Sequence, residues 1–207
     1  MSMTGNVPSF VAQSFCGWAY ARAGGPVKTE EDPLDPAPAR SFRQSLGAVR
    51  YLEHAVRGAH GLEGLALRYG FFYGPGTAIA PGGQIGRLVA RRRFPVVGDG
   101  AGIWSLVHMT DVAAATLAAL EHAPPGVYNI ADDDPAPLAR WLPAFAGALA
   151  AKPPRHVPAW LVRPFSQGAV VMANEIRGAC NAKAKRQLGW KPAYPSWRDG
   201  FRNGLAQ

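Results

Sequence analysis

The sequence contains few cysteines, few charged side chains and no long apolar runs. Two cysteines among 207 residues, Cys16 and Cys180, are too few for a disulfide framework or a cysteine-based zinc site. No apolar run approaches the roughly 18 residues that a membrane helix needs. The first ten residues hold no basic segment followed by an apolar one, so no signal peptide is predicted. A reducing cytoplasm is the expected location.

The charges that are present are mainly basic, with 22 Lys and Arg against 14 Asp and Glu, a net charge of +8. Such a balance suits a nucleic acid or a small anionic ligand. Aromatic residues do not alternate with the basic run at 91–93, and the acidic run at 132–134 interrupts any surface of a single sign. We therefore expect a small anionic molecule and no nucleic-acid partner.

The histidines and glycines do not form the usual ligand motifs. Five histidines show no metal-ligand spacing, so no metal site is predicted. Among 24 glycines there is no Gly-x-Gly-x-x-Gly turn between a strand and a helix, nor a Walker loop. The glycines at 98–102 predict a hairpin turn that joins short strands at 94–97 and 104–108.

The apolar patterns predict an α/β domain followed by short helices. Buried strands are predicted at 10–15, 65–69 and 127–131. Apolar residues at steps of three and four predict a helix from Phe42 to Val56. Further helices are predicted at 85–92, 112–122, 137–151, 158–172 and 181–188. Alternating strands and helices indicate a parallel sheet.

Five short segments resemble signatures of the NAD-dependent epimerase/dehydratase family, the extended short-chain dehydrogenases/reductases. The segment at 67–76, LRYGFFYGPG, is similar to the family's LRYGNVYGPG, and four further segments follow in the family's order, at 95–100, 107–113, 127–131 and 181–192. The resemblance implies the second half of a doubly wound Rossmann fold. We expect a partial Rossmann-like parallel sheet over 1–134, with a substrate-loop insertion at 76–108, and a small helical C-terminal substrate domain over 135–207.

The same resemblance implies a catalytic Ser, Tyr and Lys, the last two as Tyr-x-x-x-Lys on one helix face. Ser14 matches the Ser, whereas Phe42 and Leu46 occupy the Tyr and Lys positions. The family binds NAD or NADP, and Phe71, Phe72 and Tyr73 are the expected cofactor contacts here. The resemblance does not include the glycine-rich pyrophosphate loop, which makes cofactor binding by this chain alone doubtful.

Family substrates are nucleotide sugars, and four residues are expected to contact a substrate of that kind: Arg93, Trp104, His108 and Arg177. Two of these assignments have structural alternatives. His108 could instead fix a strand–helix turn through a hydrogen bond. The arginines at 91–93 could simply be a solvated helix end, stabilised there by the helix dipole.

Three functional hypotheses follow. The first is a truncated family member that is impaired in independent catalysis. The second is a non-catalytic interaction subunit, which pairs as a homodimer or with a partner chain through an unpaired strand edge. The third is an active, atypical enzyme that uses Ser14, His108 and Asp111 on an anionic substrate resembling a nucleotide sugar.

Overall fold

The computed structural model describes residues 9–205. The strands in this part of the chain are β1 (Ser9–Phe15), β2 (Val27–Lys28), β3 (Glu63–Tyr69), β4 (Phe71–Tyr73), β5 (Val96–Val97), β6 (Ile103–Trp104), β7 (Leu106–His108), β8 (Gly126–Ile130), β9 (Ala136–Pro137), β10 (His156–Val157) and β11 (Gly178–Ala179). The helices are α1 (Arg43–Arg57), α2 (Gln84–Ala90), α3 (Met109–His122), α4 (Leu138–Ala148), α5 (Ala159–Val162), α6 (Gln167–Asn174), α7 (Ala182–Gln187) and α8 (Trp197–Asn203). A 3-10 turn, Arg40–Phe42, precedes α1.

The centre of the fold is a parallel sheet with the strand order β1-β3-β8. These strands confirm the three that were predicted, and the arrangement confirms the α/β class. Strand β3 is the middle strand and is buried from its second residue onward. Within residues 9–205, β1 pairs with β3 alone, so its other edge carries no strand.

Helices α1 and α3 pack on opposite faces of this sheet. Successive strand residues point to alternate faces, so Gly64 and Tyr69 of β3 lie on different sides of the sheet. On one face, Gly64 of β3 approaches α1 so closely that a Cβ there would lie 2.0 Å from the Val56 carbonyl oxygen. On the other face, the Tyr69 hydroxyl lies 2.6 Å from Thr116 Oγ1 of α3. The bounds of α1 confirm the helix predicted from the spacing of its apolar residues.

The glycine-rich segment at 98–102 is not a hairpin turn, so that prediction was wrong. Strand β5 pairs in parallel with β10, and β6 pairs antiparallel with β9, so the two flanking strands do not pair with each other. Instead, Asn174 Oδ1 accepts hydrogen bonds from the backbone N–H groups of Asp99 and Gly100. This loop is therefore anchored to the end of α6.

The acidic run at 132–134 attaches the C-terminal segment to the sheet. Asp133 accepts a hydrogen bond from Asn181 at 2.7 Å and pairs with Lys185 at 2.9 Å. Asp134 accepts hydrogen bonds from Ser196 and Arg198. These carboxylates hold the starts of α7 and α8 and are therefore not a free acidic surface.

The helix predicted at 158–172 is divided into α5 and α6. Pro164 lies between them, and proline cannot donate the backbone hydrogen bond that a continuous helix requires. A new helix starts at Ser166, whose hydroxyl caps the N–H of Ala169. None of the helices described between residues 9 and 205 is both long and apolar enough to cross a membrane.

Candidate functional site

A pocket of about 560 Å³ opens at the carboxyl ends of β1 and β3. In open parallel α/β sheets, ligands bind at this edge. Its lining is apolar apart from one amide and one hydroxyl, and holds no ionisable side chain: Gln13, Phe15, Gly70, Phe71, Phe72, Pro75, Gly76, Thr77, Ala78, Ile79, Ile85 and Met109. The Thr77 hydroxyl already donates to the Gly74 carbonyl oxygen at 2.8 Å. These residues thus offer no group that could donate or remove a proton near neutral pH.

Stacked aromatic rings hold the pocket wall in place. The rings of Phe71 and Trp104 stack with centroids 4.0 Å apart, and Phe15 meets Phe71 edge-on at 5.2 Å. Trp104 is buried, and its indole N–H donates to the Met172 carbonyl oxygen at 3.1 Å. Such aromatic pairs add about 0.5–1.5 kcal/mol beyond the burial of their surface. Phe71 is therefore pre-positioned as a pocket wall.

The two positions that correspond to the family's Tyr and Lys continue this aromatic and apolar environment. Phe42 stacks on Trp18 with centroids 4.8 Å apart, and Trp18 in turn contacts Phe15 of the pocket at 5.6 Å. Leu46 is completely buried. Neither side chain can transfer a proton, and a charged amine at the completely buried Leu46 position would lose its hydration.

Ser14 belongs to a buried polar network on the α1 face of the sheet. Its hydroxyl donates to Glu53 Oε1 of α1 at 2.6 Å. Arg68 of β3 holds the same carboxylate with two hydrogen bonds of 2.6 and 2.7 Å, and donates to the Tyr20 hydroxyl at 2.9 Å. Tyr20 donates onward to Asn129 Oδ1 of β8 at 2.7 Å. The network therefore links all three strands to α1.

Burial and charge shift the pKa values around this network. Burial raises the pKa of Cys16 to about 12, against the opposing effect of the Arg68 charge, so its thiol is protonated at neutral pH. Burial also raises the pKa of Tyr20, although Arg68 lowers it in part. Burial lowers the pKa of the Arg68 guanidinium, but the hydrogen bonds and electrostatic interactions with Glu53 and Tyr20 together raise it above the ordinary value. The network thus holds one fixed ion pair and neutral partners.

His108 closes the turn between β7 and α3. Its Nδ1 accepts the Thr110 N–H at 3.2 Å, so Nε2 carries the proton and donates to the Gly204 carbonyl oxygen at 2.9 Å. Both ring nitrogens are therefore used inside the fold. Tyr73 packs edge-on against this ring at 5.2 Å and is completely buried, and its hydroxyl finds no hydrogen-bond partner among residues 9–205.

The two predicted arginine contacts lie apart from the pocket lining. Arg93 is exposed and follows the end of α2, where its backbone N–H bonds to the Leu88 carbonyl oxygen. Arg177 is half-buried, and its Nε donates to the Arg22 carbonyl oxygen at 2.7 Å. Of the predicted site residues, the structure brings Phe71 and Phe72 together in the pocket lining, with Trp104 stacked on Phe71. It also brings Tyr73 and His108 into ring contact, but neither of them is part of the pocket lining.

Sequence reasoning missed the polar network, although a signal for it was present. Ser14, Arg68 and Asn129 are each the second-last residue of a mainly apolar strand, and parallel pairing places them side by side. The pocket residues Gln13, Thr77 and Met109 were also missed. None of these three side chains carries a catalytic functional group that would have drawn attention to it in the sequence. Only the fold shows that they line the same pocket.

The described residues fit a dinucleotide cofactor only in part. The uncharged walls formed by Phe71 and Phe72 suit the face of a nicotinamide ring. The stretch from 9 to 205 has no glycine-rich strand-to-helix turn whose N–H groups would hold a pyrophosphate. Nor does it place three or more His, Cys, Asp or Glu side chains together for a metal ion.

Comparison with known proteins identifies relatives of this arrangement. A Streptomyces protein named 3-diazoavenalumate denitrifying reductase is 42% identical over 193 residues, which are 92% of this chain and 63% of that protein. UDP-glucose 4-epimerase of Thermotoga maritima, solved with UDP-glucose, is 25% identical with a TM-score of 0.69, over 95% of this chain and 62% of the epimerase chain. A human epimerase family protein solved with NADPH is 19% identical and shares the fold with a TM-score of 0.73, over 95% of this chain and 65% of its own.

This chain thus spans less than two thirds of the length of the curated relative it matches. The sequence also matches a family model over residues 10–131, which is more than half of the chain. The chain belongs to the NAD dependent epimerase/dehydratase family.

Proposed function

We propose that this chain is the substrate-facing part of an NAD(P)-dependent reductase that acts on an acceptor needing no proton from the protein. The observation that carries the proposal is the absence of any ionisable side chain in the pocket lining, together with Phe42 and Leu46 at the family's Tyr and Lys positions. A carbonyl acceptor develops negative charge on oxygen and benefits from a protein acid. The pocket is poorly suited to that reaction.

A diazo group is an acceptor of the required kind. The name of the Streptomyces relative, 3-diazoavenalumate denitrifying reductase, specifies a diazo compound. Addition of a hydride to the terminal nitrogen of the diazo group would give a diazene with an N–H bond. Loss of that proton to solvent and cleavage of the C–N bond would release N₂, and the carbon would then take one proton from solvent, so that no net proton is consumed. A bound NAD(P)H would supply the hydride. The residues described above would hold the acceptor and exclude water, because Phe15, Phe71 and Phe72 present only apolar surface.

The reaction is tested by following NADPH oxidation and N₂ release together with an arenediazonium salt. The chain is assayed with a second polypeptide, the part of the Streptomyces relative that this chain does not cover. We expect equal amounts of NADPH oxidised and N₂ released, and no reduction of an aromatic aldehyde. Reduction of the aldehyde, or turnover of UDP-glucose in place of the diazonium salt, would overturn the proposal.

We also propose that the chain is impaired in catalysis when alone. The support is that residues 9–205 fit only the ring end of the cofactor, and a pyrophosphate needs donors that they do not supply. Titration of the isolated chain with NADPH, followed by fluorescence, should give no saturable binding. Micromolar affinity of the isolated chain for NADPH would contradict this part of the proposal.

The open edge of β1 favours a second candidate, an interaction subunit. Beside this edge, Phe10 is 49% exposed, and α3, which packs on β1, presents Leu117 and Leu120 to solvent. An unpaired strand edge with apolar neighbours is a template for pairing with another chain. A partner chain or a second copy is the proposed occupant, and this role is compatible with the reductase proposal.

A further inference from the structure

We propose that the pocket at the ends of β1 and β3 binds the aromatic ring of the acceptor, so that the substrate is a planar aryl compound and not a nucleotide sugar. This inference rests on the proposed reductase function and adds the substrate class. It concerns binding alone, and binding can be measured without turnover.

The lining excludes the charged part of a nucleotide sugar. A pyrophosphate needs Arg, Lys or several N–H donors, and the pocket lining contains no cationic side chain. The arginines predicted as substrate contacts, Arg93 and Arg177, are not part of this lining. An anionic nucleotide would therefore lose its hydration without gaining a counter-charge.

The walls instead present aromatic surface, which suits a flat ring. Phe15, Phe71 and Phe72 contribute three aromatic rings to one cavity. The stack with Trp104 and the edge contact with Phe15 fix Phe71, so little side-chain freedom is lost when a ligand binds. The volume of about 560 Å³ lies within the range of small-molecule sites, roughly 300–1,000 Å³.

One polar group remains available to orient the ring. Gln13 is an exposed residue of β1, and its side-chain amide makes no hydrogen bond within the part of the chain that the structure describes. An uncharged amide can pair with a phenol, a carboxylate or a diazo nitrogen without changing the neutral character of the site. Gln13 is therefore assigned as the orienting group of the aryl site.

The test is isothermal titration of the full chain with trans-4-hydroxycinnamate, a stable aryl acid that cannot be reduced at a diazo group. The saturated acid 3-cyclohexylpropanoate is the comparison ligand, which has a six-membered ring that is not aromatic. We expect saturable binding of the aryl acid, and binding of the saturated acid weaker by roughly 3- to 10-fold, the value of an aromatic contact. Equal binding of both acids would overturn the proposal.

Two variants locate the site. Phe71→Leu should weaken aryl binding roughly 3- to 10-fold, whereas Phe165→Leu, the same change at a side chain that is 90% exposed, should not. Ala78→Trp adds an indole at an exposed position of the lining and should abolish binding without disturbing the core. Unchanged binding in Ala78→Trp would place the aryl acid elsewhere and overturn the assignment.

Competition separates this inference from the reductase proposal. UDP-glucose should not displace the aryl acid. Displacement by UDP-glucose would assign the pocket to a nucleotide sugar and overturn the inference. Aryl binding without any NADPH-dependent release of N₂ would leave the aryl site standing while the reductase proposal fails.

Discussion

Single residues determine how this site differs from that of a proton-transferring reductase. Phe42 and Leu46 place no hydroxyl or amine at the family's Tyr and Lys positions, while the ionisable groups Glu53 and Arg68 form an ion pair on the α1 face. The buried charges therefore serve the link between strands and helix.

Leu46→Lys would restore the missing lysine but should destabilise the fold. Leu46 is completely buried, so the amine would lose its hydration. We expect a loss of roughly 3 kcal/mol or more in the free energy of unfolding, measured by urea denaturation. Leu46→Met, which conserves volume, should cost less than about 1.5 kcal/mol. Equal stability of the two variants would show that the position tolerates charge.

The ion pair between Glu53 and Arg68 should be sensitive to removal of one partner. Arg68→Met leaves the Glu53 carboxylate buried with only the Ser14 hydroxyl as a donor, and we expect a loss of about 3–5 kcal/mol in the free energy of unfolding. The double variant Glu53→Gln/Arg68→Met removes both charges and should be more stable than the single variant. If the double variant were less stable than Arg68→Met, the loss in the single variant could not be explained by the Glu53 carboxylate left buried without a cationic partner.

Asp132 should make the fold less stable as the pH rises. It is buried, burial raises its pKa well above the ordinary value, and Oδ2 has no partner among the described residues. A carboxyl with a raised folded-state pKa holds its proton in the native state, so stability is lost between its unfolded-state and folded-state pKa values. Asp132→Asn should therefore be stabilising at neutral pH and not in acid, as measured by urea unfolding at both pH values. If Asp132→Asn gained the same free energy of unfolding at both pH values, ionisation of the buried Asp132 carboxyl would not be the cause.

At the level of elements, the sequence predicted what depends on local pattern. The apolar steps from Phe42 to Val56 indicated α1, and the three apolar runs indicated the sheet strands. The pattern could not show that backbone N–H groups of the 98–102 segment donate to Asn174, or that β2 pairs with β11. These contacts join distant parts of the chain. Likewise, the pocket combines residues from β1 with residues from the loop after β4.

The exposed face of α3 beside β1 should mediate association. Leu117 and Leu120 are 61% and 47% exposed, and α3 packs on β1, whose other edge carries no strand among residues 9–205. We expect the wild-type chain to associate in light scattering and the double variant Leu117→Glu/Leu120→Glu to be monomeric. The control Leu161→Glu/Phe165→Glu introduces the same charges at exposed apolar residues elsewhere. A monomeric wild-type chain would contradict a self-association role.

At the scale of the whole molecule, the sheet separates two environments. One face holds the ion pair and the hydroxyls of Ser14 and Tyr20, while the carboxyl edge presents an aromatic pocket without charge. The family relationship accounts for the fold and for the strand arrangement. The pocket residues account for the proposed departure from carbonyl and nucleotide-sugar chemistry.

The most direct test of the central claim is the pH dependence of kcat for NADPH-dependent release of N₂ from a benzenediazonium salt whose ring carries no titrating group. The chain is assayed with its complementing polypeptide. If no protein group donates a proton, kcat should be constant across the neutral range, and Ser14→Ala should leave it unchanged while lowering stability by about 1 kcal/mol through the lost bond to Glu53. A sloping profile that becomes flat in Ser14→Ala would identify Ser14 as a proton-transferring group and contradict the account.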